Sequence, residues 1–195
     1  MQKALITGSS GFIGFHLCRT LLENGFSIVG VDNMSNYYDV KLKEARLSIL
    51  QEYANFKFIN GNIETPDFLL KIFEVEKPEV VVHLAAQAGV RYSIENPRSY
   101  LDSNLVGTFE VLEASRSLPP KHLLIASTSS AYGANTDMPF TEKMFADHQL
   151  SFYAATKKAT ENMGHSYSYL FIAIMEQIQM ENYLIMKLIA KLNFI

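Results

Sequence analysis

One cysteine, Cys18, stands among 195 residues, so no disulfide can form within the chain. A reducing, cytoplasmic setting is expected, and the fold has to rest on a packed core. Charge of one sign is also missing. Seventeen Lys and Arg face 20 Asp and Glu, for a net charge of −3. That removes any electrostatic case for nucleic acid as a partner. No run reaches the roughly 18 uninterrupted apolar residues of a membrane span. Residues 172–195 come nearest, but Glu176, Glu181, Lys187 and Lys191 interrupt them. The opening MQKALITGSSG lacks the charged, apolar and small-residue succession of a secretory leader. The reading is a soluble, cytoplasmic protein with no membrane partner. With 48% hydrophobic and only 19% charged residues it should be globular. Its length suits one domain with a real core.

What is present is alternation. KALIT (3–7), SIVGVD (27–32), FKFIN (56–60), EVVVHLA (79–85) and KHLLIAS (121–127) read as strands. Helical patterns lie between them at 12–24, 39–53, from Pro66 to about Phe73, and from Pro97 to about Ser117. A last helix starts near Ser151. Near-continuous apolar strands alternating with helices imply a parallel sheet covered on both faces. With right-handed crossovers the fold class is α/β, a doubly wound, Rossmann-like parallel sheet. No internal repeat or linker is visible.

The first strand runs into Gly8-Ser9-Ser10-Gly11-Phe12-Ile13-Gly14, which opens a helix. Glycines let a backbone turn sharply and approach a pyrophosphate, and a helix N-terminus supplies N–H groups and a positive dipole end. The second strand ends in Asp32, where a carboxylate can accept hydrogen bonds from ribose hydroxyls and so favours NAD over NADP. The plainer reading is a glycine-rich turn with a capping aspartate.

Further on, Tyr153 and Lys157 are four apart on a helix and share a face. An ammonium beside a phenol favours the phenolate, so such a tyrosine can serve as a base near neutral pH. The fifth strand ends in Ser127-Thr128-Ser129-Ser130, at the end of the sheet where ligands bind. Tyr and Lys at this spacing are common, and a serine-rich strand end is often only a turn. Loop, acid, hydroxyls and pair in this order make the stronger case.

Taken together, GSSGFIG (8–14), VDN (31–33), HLAAQAGVRYS (83–93), SNLVGTFEVLEASR (103–116), ASTSSAYG (126–133) and YAATK (153–157) resemble the extended short-chain dehydrogenases. Within that family the chain resembles the NAD-dependent sugar-nucleotide epimerases and dehydratases, and most of all the UDP-glucuronate 4-epimerases. The likeness runs from residue 1 to about 171. It implies an NAD-binding domain over 1–171, with Gly8, Gly11, Phe12, Ile13 and Gly14 at the pyrophosphate. Asp32, Asn33 and Asn36 would take the adenosine ribose, and Asn62 and Ile63 would lie by the adenine. Leu84, Ala85, Ala86, Asn104 and Ser127 would line the cofactor cleft. Thr128, Tyr153 and Lys157 would do the chemistry, the last two also touching NAD. Arg91 and Ser129 would meet the UDP-sugar. The helices near 97–117 and 151–171 are where members of the family often pair, which allows a homodimer.

The resemblance also supports a discrimination. Dehydratases of this family need a carboxylate just after the Thr, whereas Ser129, Ser130 and Ala131 follow Thr128. Epimerisation at C4 through a 4-keto sugar, UDP-glucuronate to UDP-galacturonate, is therefore the expected reaction. Two features depart from the family pattern. Asn62 stands where an aspartate is usual. Residues 172–195 form an atypical tail, helical or disordered, so the C-terminal substrate domain is expected to be missing. With it would go most sugar contacts. An inactive nucleotide-binding fragment or dimerising module is the alternative reading.

Overall fold

A computed structural model describes residues 1–172. Its elements are β1 (Lys3–Thr7), α1 (Phe12–Glu23), β2 (Ser27–Asp32), α2 (Val40–Gln51), β3 (Phe56–Asn60), α3 (Phe68–Glu76) and β4 (Val80–His83). Then follow α4 (Tyr92–Glu95), α5 (Pro97–Tyr100), a π-helical stretch Leu101–Val106 and α6 (Gly107–Ser117). β5 (His122–Ile125), a 3-10 turn Ser129–Tyr132 and α7 (Phe152–Ile172) complete them. All but the first residue of the tail expected at 172–195 lies outside the described residues.

The five strands form one parallel sheet in the order β3-β2-β1-β4-β5. Order reverses between β1 and β4, the switch point at which open α/β sheets bind ligands beyond the strand ends. The register puts Leu5 beside both Val29 and Val81, so these side chains share a face. Leu69, Ile72 and Phe73 of α3 and Val111 and Ala114 of α6 bury against that row. Each Leu, Ile, Val or Phe among them, taken fully from water, contributes about 1.5–3 kcal/mol. α1 lies against β1 and β2. Cys18 on it is fully buried, and burial pushes its thiol up to about 12.

The described chain divides into two compact units. One comprises Met1–Ala86 with Gly107–Leu123, the other Gln87–Val106 with the described residues from Leu124 onward. The strands and helices read from the sequence are present with shifted ends. The main difference is the expected long helix 97–117, which is α5, a π-helical stretch and α6 in succession. The short helix α4 was not foreseen. No described helix is long and apolar enough to cross a membrane.

Candidate functional site

In the first unit the glycine loop is as tight as its spacing implies. Gly8 has φ of +72°, and a Cβ there would come within 2.9 Å of the Ala85 amide nitrogen. A Cβ on Gly14 would stand 2.1 Å from the Gly8 carbonyl oxygen, so no side chain fits without moving the loop. The Gly11 amide donates to the Gly8 carbonyl at 3.0 Å, closing the turn into α1. Gly8 and Ser9 donate to the Val31 carbonyl, which ties the loop to β2. The Ser9 and Ser10 hydroxyls are buried without a hydrogen-bond partner among the described residues. Phe12 and Ile13 open the helix half-exposed, with the Arg46 guanidinium 5.7 Å from the Phe12 ring centroid. A turn that leaves no room for a Cβ at Gly8 or Gly14 and opens a helix N-terminus fits a dinucleotide pyrophosphate.

Asp32 is nearly buried at the end of β2. Its Oδ2 accepts the Ser10 amide at 3.1 Å, and its Oδ1 accepts the Met34 amide at 2.9 Å. Lys43 of α2 was not singled out from the sequence. Its Nζ donates to Asp32 Oδ1 at 3.2 Å and to Ser35 Oγ at 3.2 Å. Arg46, one turn on, donates to the Ser10 carbonyl and to Tyr38 Oη. Asn33 and Asn36 are exposed, and Asn33 Oδ1 accepts the Ser35 amide at 3.0 Å.

The ends of β1 and β4 are clipped together by a second unforeseen group. Thr7 Oγ1 accepts the Leu84 and Ala85 amides at 3.1 and 3.2 Å, so its hydrogen is free to go to His83 Nδ1 at 2.8 Å. That pattern assigns the proton to His83 Nε2, which donates to Thr108 Oγ1 at 3.0 Å. The buried His83 imidazole thus positions Thr7, which holds Leu84 and Ala85 beside the loop, with Ala86 exposed beside them. Asn62 is exposed beyond β3, whereas the Ile63 side chain belongs to the core and leaves only its backbone for a ligand.

The second unit holds the hydroxyls and the pair. Thr128 Oγ1 accepts the Ser130 amide at 3.2 Å and caps the 3-10 turn, which leaves its hydrogen to donate. Ser129 is exposed. Ser127 donates to Glu161 on α7, which also pairs with Lys158 at 2.9 Å. Tyr153 is half-buried, its ring edge-on to Tyr100 with centroids 5.9 Å apart. Tyr100 is fully buried and donates to the Ala88 carbonyl at 2.8 Å. Lys157 is buried too, and burial lowers its pKa to about 8, with the Glu161 charge opposing the shift. Asn104 sits in the π-helical stretch, 1% exposed. Its Oδ1 accepts the Gln87 amide, and its Nδ2 donates to the Gln87 carbonyl and to Thr156 Oγ1 at 3.0 Å. The Thr156 hydroxyl in turn donates to the Tyr153 carbonyl at 2.8 Å. Asn104 therefore braces the helix turn that carries Tyr153. Arg91 is exposed and joins no ion pair among the described residues.

The five-stranded parallel sheet with its glycine-rich turn from β1 into α1 defines a Rossmann-like α/β fold. The family model described as GDP-mannose 4,6 dehydratase matches residues 5–180, and the chain belongs to that NAD-dependent epimerase/dehydratase family. It is 52% identical over 170 residues to a probable UDP-glucuronate 4-epimerase of Rhizobium meliloti (strain 1021), covering 87% of this chain and 50% of that protein. It is 54% identical over 170 residues to protein CapI of Staphylococcus aureus, covering 87% of this chain and 51% of that one. Among solved structures, the UDP-glucuronic acid 4-epimerase of Bacillus cereus in complex with UDP-glucuronic acid and NAD superposes with a TM-score of 0.81. That match has 34% identity and covers 87% of this chain and 53% of that chain. The chain spans about half the length of the curated relatives it matches.

Proposed function

We propose that this chain carries the cofactor-binding and acid–base parts of an NAD-dependent UDP-sugar 4-epimerase, with UDP-glucuronate and UDP-galacturonate as the substrate pair. The observation that carries the choice of reaction is the segment after Thr128. It forms a 3-10 turn of Ser129, Ser130, Ala131 and Tyr132, with no carboxylate to drive loss of water. The family model is described by a dehydratase, but this turn lacks a dehydratase's acid.

The residues fit the cofactor. Gly8, Gly11, Phe12, Ile13 and Gly14 would hold its pyrophosphate, and Asp32 its adenosine ribose, with Asn33 and Asn36 beside it. Asn62 and the Ile63 backbone would approach the adenine, and Leu84, Ala85 and Ala86 would wall the middle. An asparagine at 62 accepts without charge, so its bond to an amino group is the weaker for it. Bound NAD would supply a hydride acceptor for C4 of the sugar and a donor for its return.

The second unit manages the proton. Tyr153, as the phenolate, takes the proton of the 4-hydroxyl, and the phenol so formed gives it back. The Thr128 hydroxyl, its hydrogen unspent on Ser130, donates to the sugar oxygen. With a pKa near 8, Lys157 is still mostly an ammonium at pH 7, so its charge favours the phenolate. Arg91 and Ser129 are the residues here that would meet the substrate. The half-exposed Phe109 and the exposed Tyr169 and Leu170 on α6 and α7 supply apolar area for pairing with a second copy.

The family resemblance assigns the grip on UDP and sugar to chain beyond the matched half. Positioning of that kind is worth roughly 7–11 kcal/mol, so turnover by these residues alone should be very low. The test is conversion of UDP-glucuronate to UDP-galacturonate with added NAD⁺, products separated by chromatography. Any turnover should vanish in Tyr153→Phe. Turnover that survives Tyr153→Phe, or net accumulation of NADH with substrate, would refute the mechanism.

A further inference from the structure

Glu161 on α7 belongs to neither the cofactor residues nor the acid–base set, yet both of its carboxylate oxygens are bound. Oε1 accepts the Ser127 hydroxyl, and Oε2 accepts Lys158 Nζ at 2.9 Å. Ser127 immediately precedes Thr128, so the first bond ties the segment carrying the Thr128 hydroxyl to α7. Lys157 lies one helical turn before Glu161, and residues four apart on a helix are neighbours on its surface. The carboxylate is thus held in a set place on the helix face that carries Tyr153 and Lys157.

That face has need of negative charge. Lys157 is 4% exposed, and a buried ammonium is costly unless an opposite charge faces it. The elements packed against α7 bring the carboxylates Glu95 and Asp102. Glu95 of α4 is exposed, and Asp102 of the π-helical stretch accepts from Arg98 of α5 at 2.9 Å. Their other titratable groups are the phenols of Tyr92, Tyr100 and Tyr132. Within two turns on α7 itself stand Tyr153, Lys158, Glu161 and His165. Of all these, Glu161 is the charge that works against the loss of the Lys157 proton, though burial is the larger influence.

We propose that Glu161 is a positioning residue of the acid–base set, pinned by Ser127 and Lys158 so that its carboxylate supplies the counter-charge of the buried Lys157 ammonium. The inference rests on the epimerase reading above, in which Tyr153 works as a phenolate beside that ammonium. Glu161 touches neither sugar nor cofactor and acts through Lys157. The bond from Ser127 also couples the two halves of the set, since it joins the Thr128 segment to the helix of Tyr153.

NMR titration of the full 195-residue chain with isotope-labelled lysine tests this with no substrate or cofactor present. The Lys157 side-chain signal is assigned by its loss in Lys157→Met. Its midpoint is about 8 in the unaltered chain. In Glu161→Gln it should fall by about one unit, the low end of what a neighbouring opposite charge contributes. Glutamine keeps an oxygen for Ser127, so this variant removes the charge and leaves the tie. Glu161→Asp keeps the charge and should bring the midpoint back toward that of the unaltered chain. An unmoved midpoint in folded Glu161→Gln, or an equal fall in Glu161→Asp, would make Glu161 a structural brace only, and the proposal fails. Should Glu161→Gln not fold, the unaltered chain carries the test. Its Lys157 signal should step as acid protonates Glu161, and a signal flat across the carboxyl range overturns the proposal. Turnover that survives Tyr153→Phe would overturn the reading of the reaction, whereas an unmoved Lys157 midpoint overturns this inference alone.

Discussion

At the scale of residues, the groups legible in the sequence were those whose role follows from their neighbours in the chain. Gly8, Gly11 and Gly14 specify a turn, Asp32 ends a strand, and Tyr153 and Lys157 share one helix face. Lys43, His83, Glu161 and Tyr100 were not legible. Each acts on a group 11 to 76 positions away, as with Lys43 on Asp32 and His83 on Thr7. A spacing pattern carries no such information.

Lys157 shows what a site residue costs the fold. Its folded pKa of about 8 lies below the ordinary 10.5, because burial disfavours the ammonium. Between those values the unfolded chain binds more protons, so this group makes stability rise with pH across that window. Below pH 8 the full penalty of the buried charge remains. Lys157→Met should therefore be more stable than the unaltered chain at pH 7, by roughly 1–3 kcal/mol. The two should converge as pH approaches 10.5. Urea denaturation across pH 7–10 measures this, and a variant less stable at pH 7 would show the ammonium to be well paired in the fold.

At the scale of elements, strand positions were readable because buried parallel strands are apolar runs bounded by turn residues. Helix interruptions were not. Residues 97–117 keep a helical pattern throughout, yet the π-helical stretch Leu101–Val106 breaks it. That local register turns Asn104 inward to bond Gln87 and Thr156, a tertiary gain that no propensity records. The loop between β1 and α1 is the opposite case, where sequence and structure agree because the backbone itself is the constraint. In Gly14→Ala the new methyl would meet the Gly8 carbonyl, which cannot swing aside as a side chain would. The loop must shift, so nucleotide affinity should drop at least tenfold while the sheet stays folded. Circular dichroism beside a nucleotide titration separates the two effects, and unchanged affinity would remove the cradle from the account.

At the scale of the whole molecule, the sequence spoke clearly for an α/β, doubly wound sheet. It could not speak for the two compact units, since the chain leaves the first at Ala86, returns at Gly107 and leaves again after Leu123. One unit carries the glycine-rich turn and the other Thr128, Tyr153 and Lys157. The matched relatives are about twice as long as the region they share with this chain. Cofactor binding is accordingly the property these residues should retain most fully, ahead of turnover. The most direct measurement is a fluorescence titration of NADH with the 195-residue chain, set beside Gly14→Ala. Saturable, one-to-one binding that is lost or at least tenfold weaker in the variant is the expected result. No saturable binding by a folded chain, or binding indifferent to Gly14→Ala, would contradict the account at its centre.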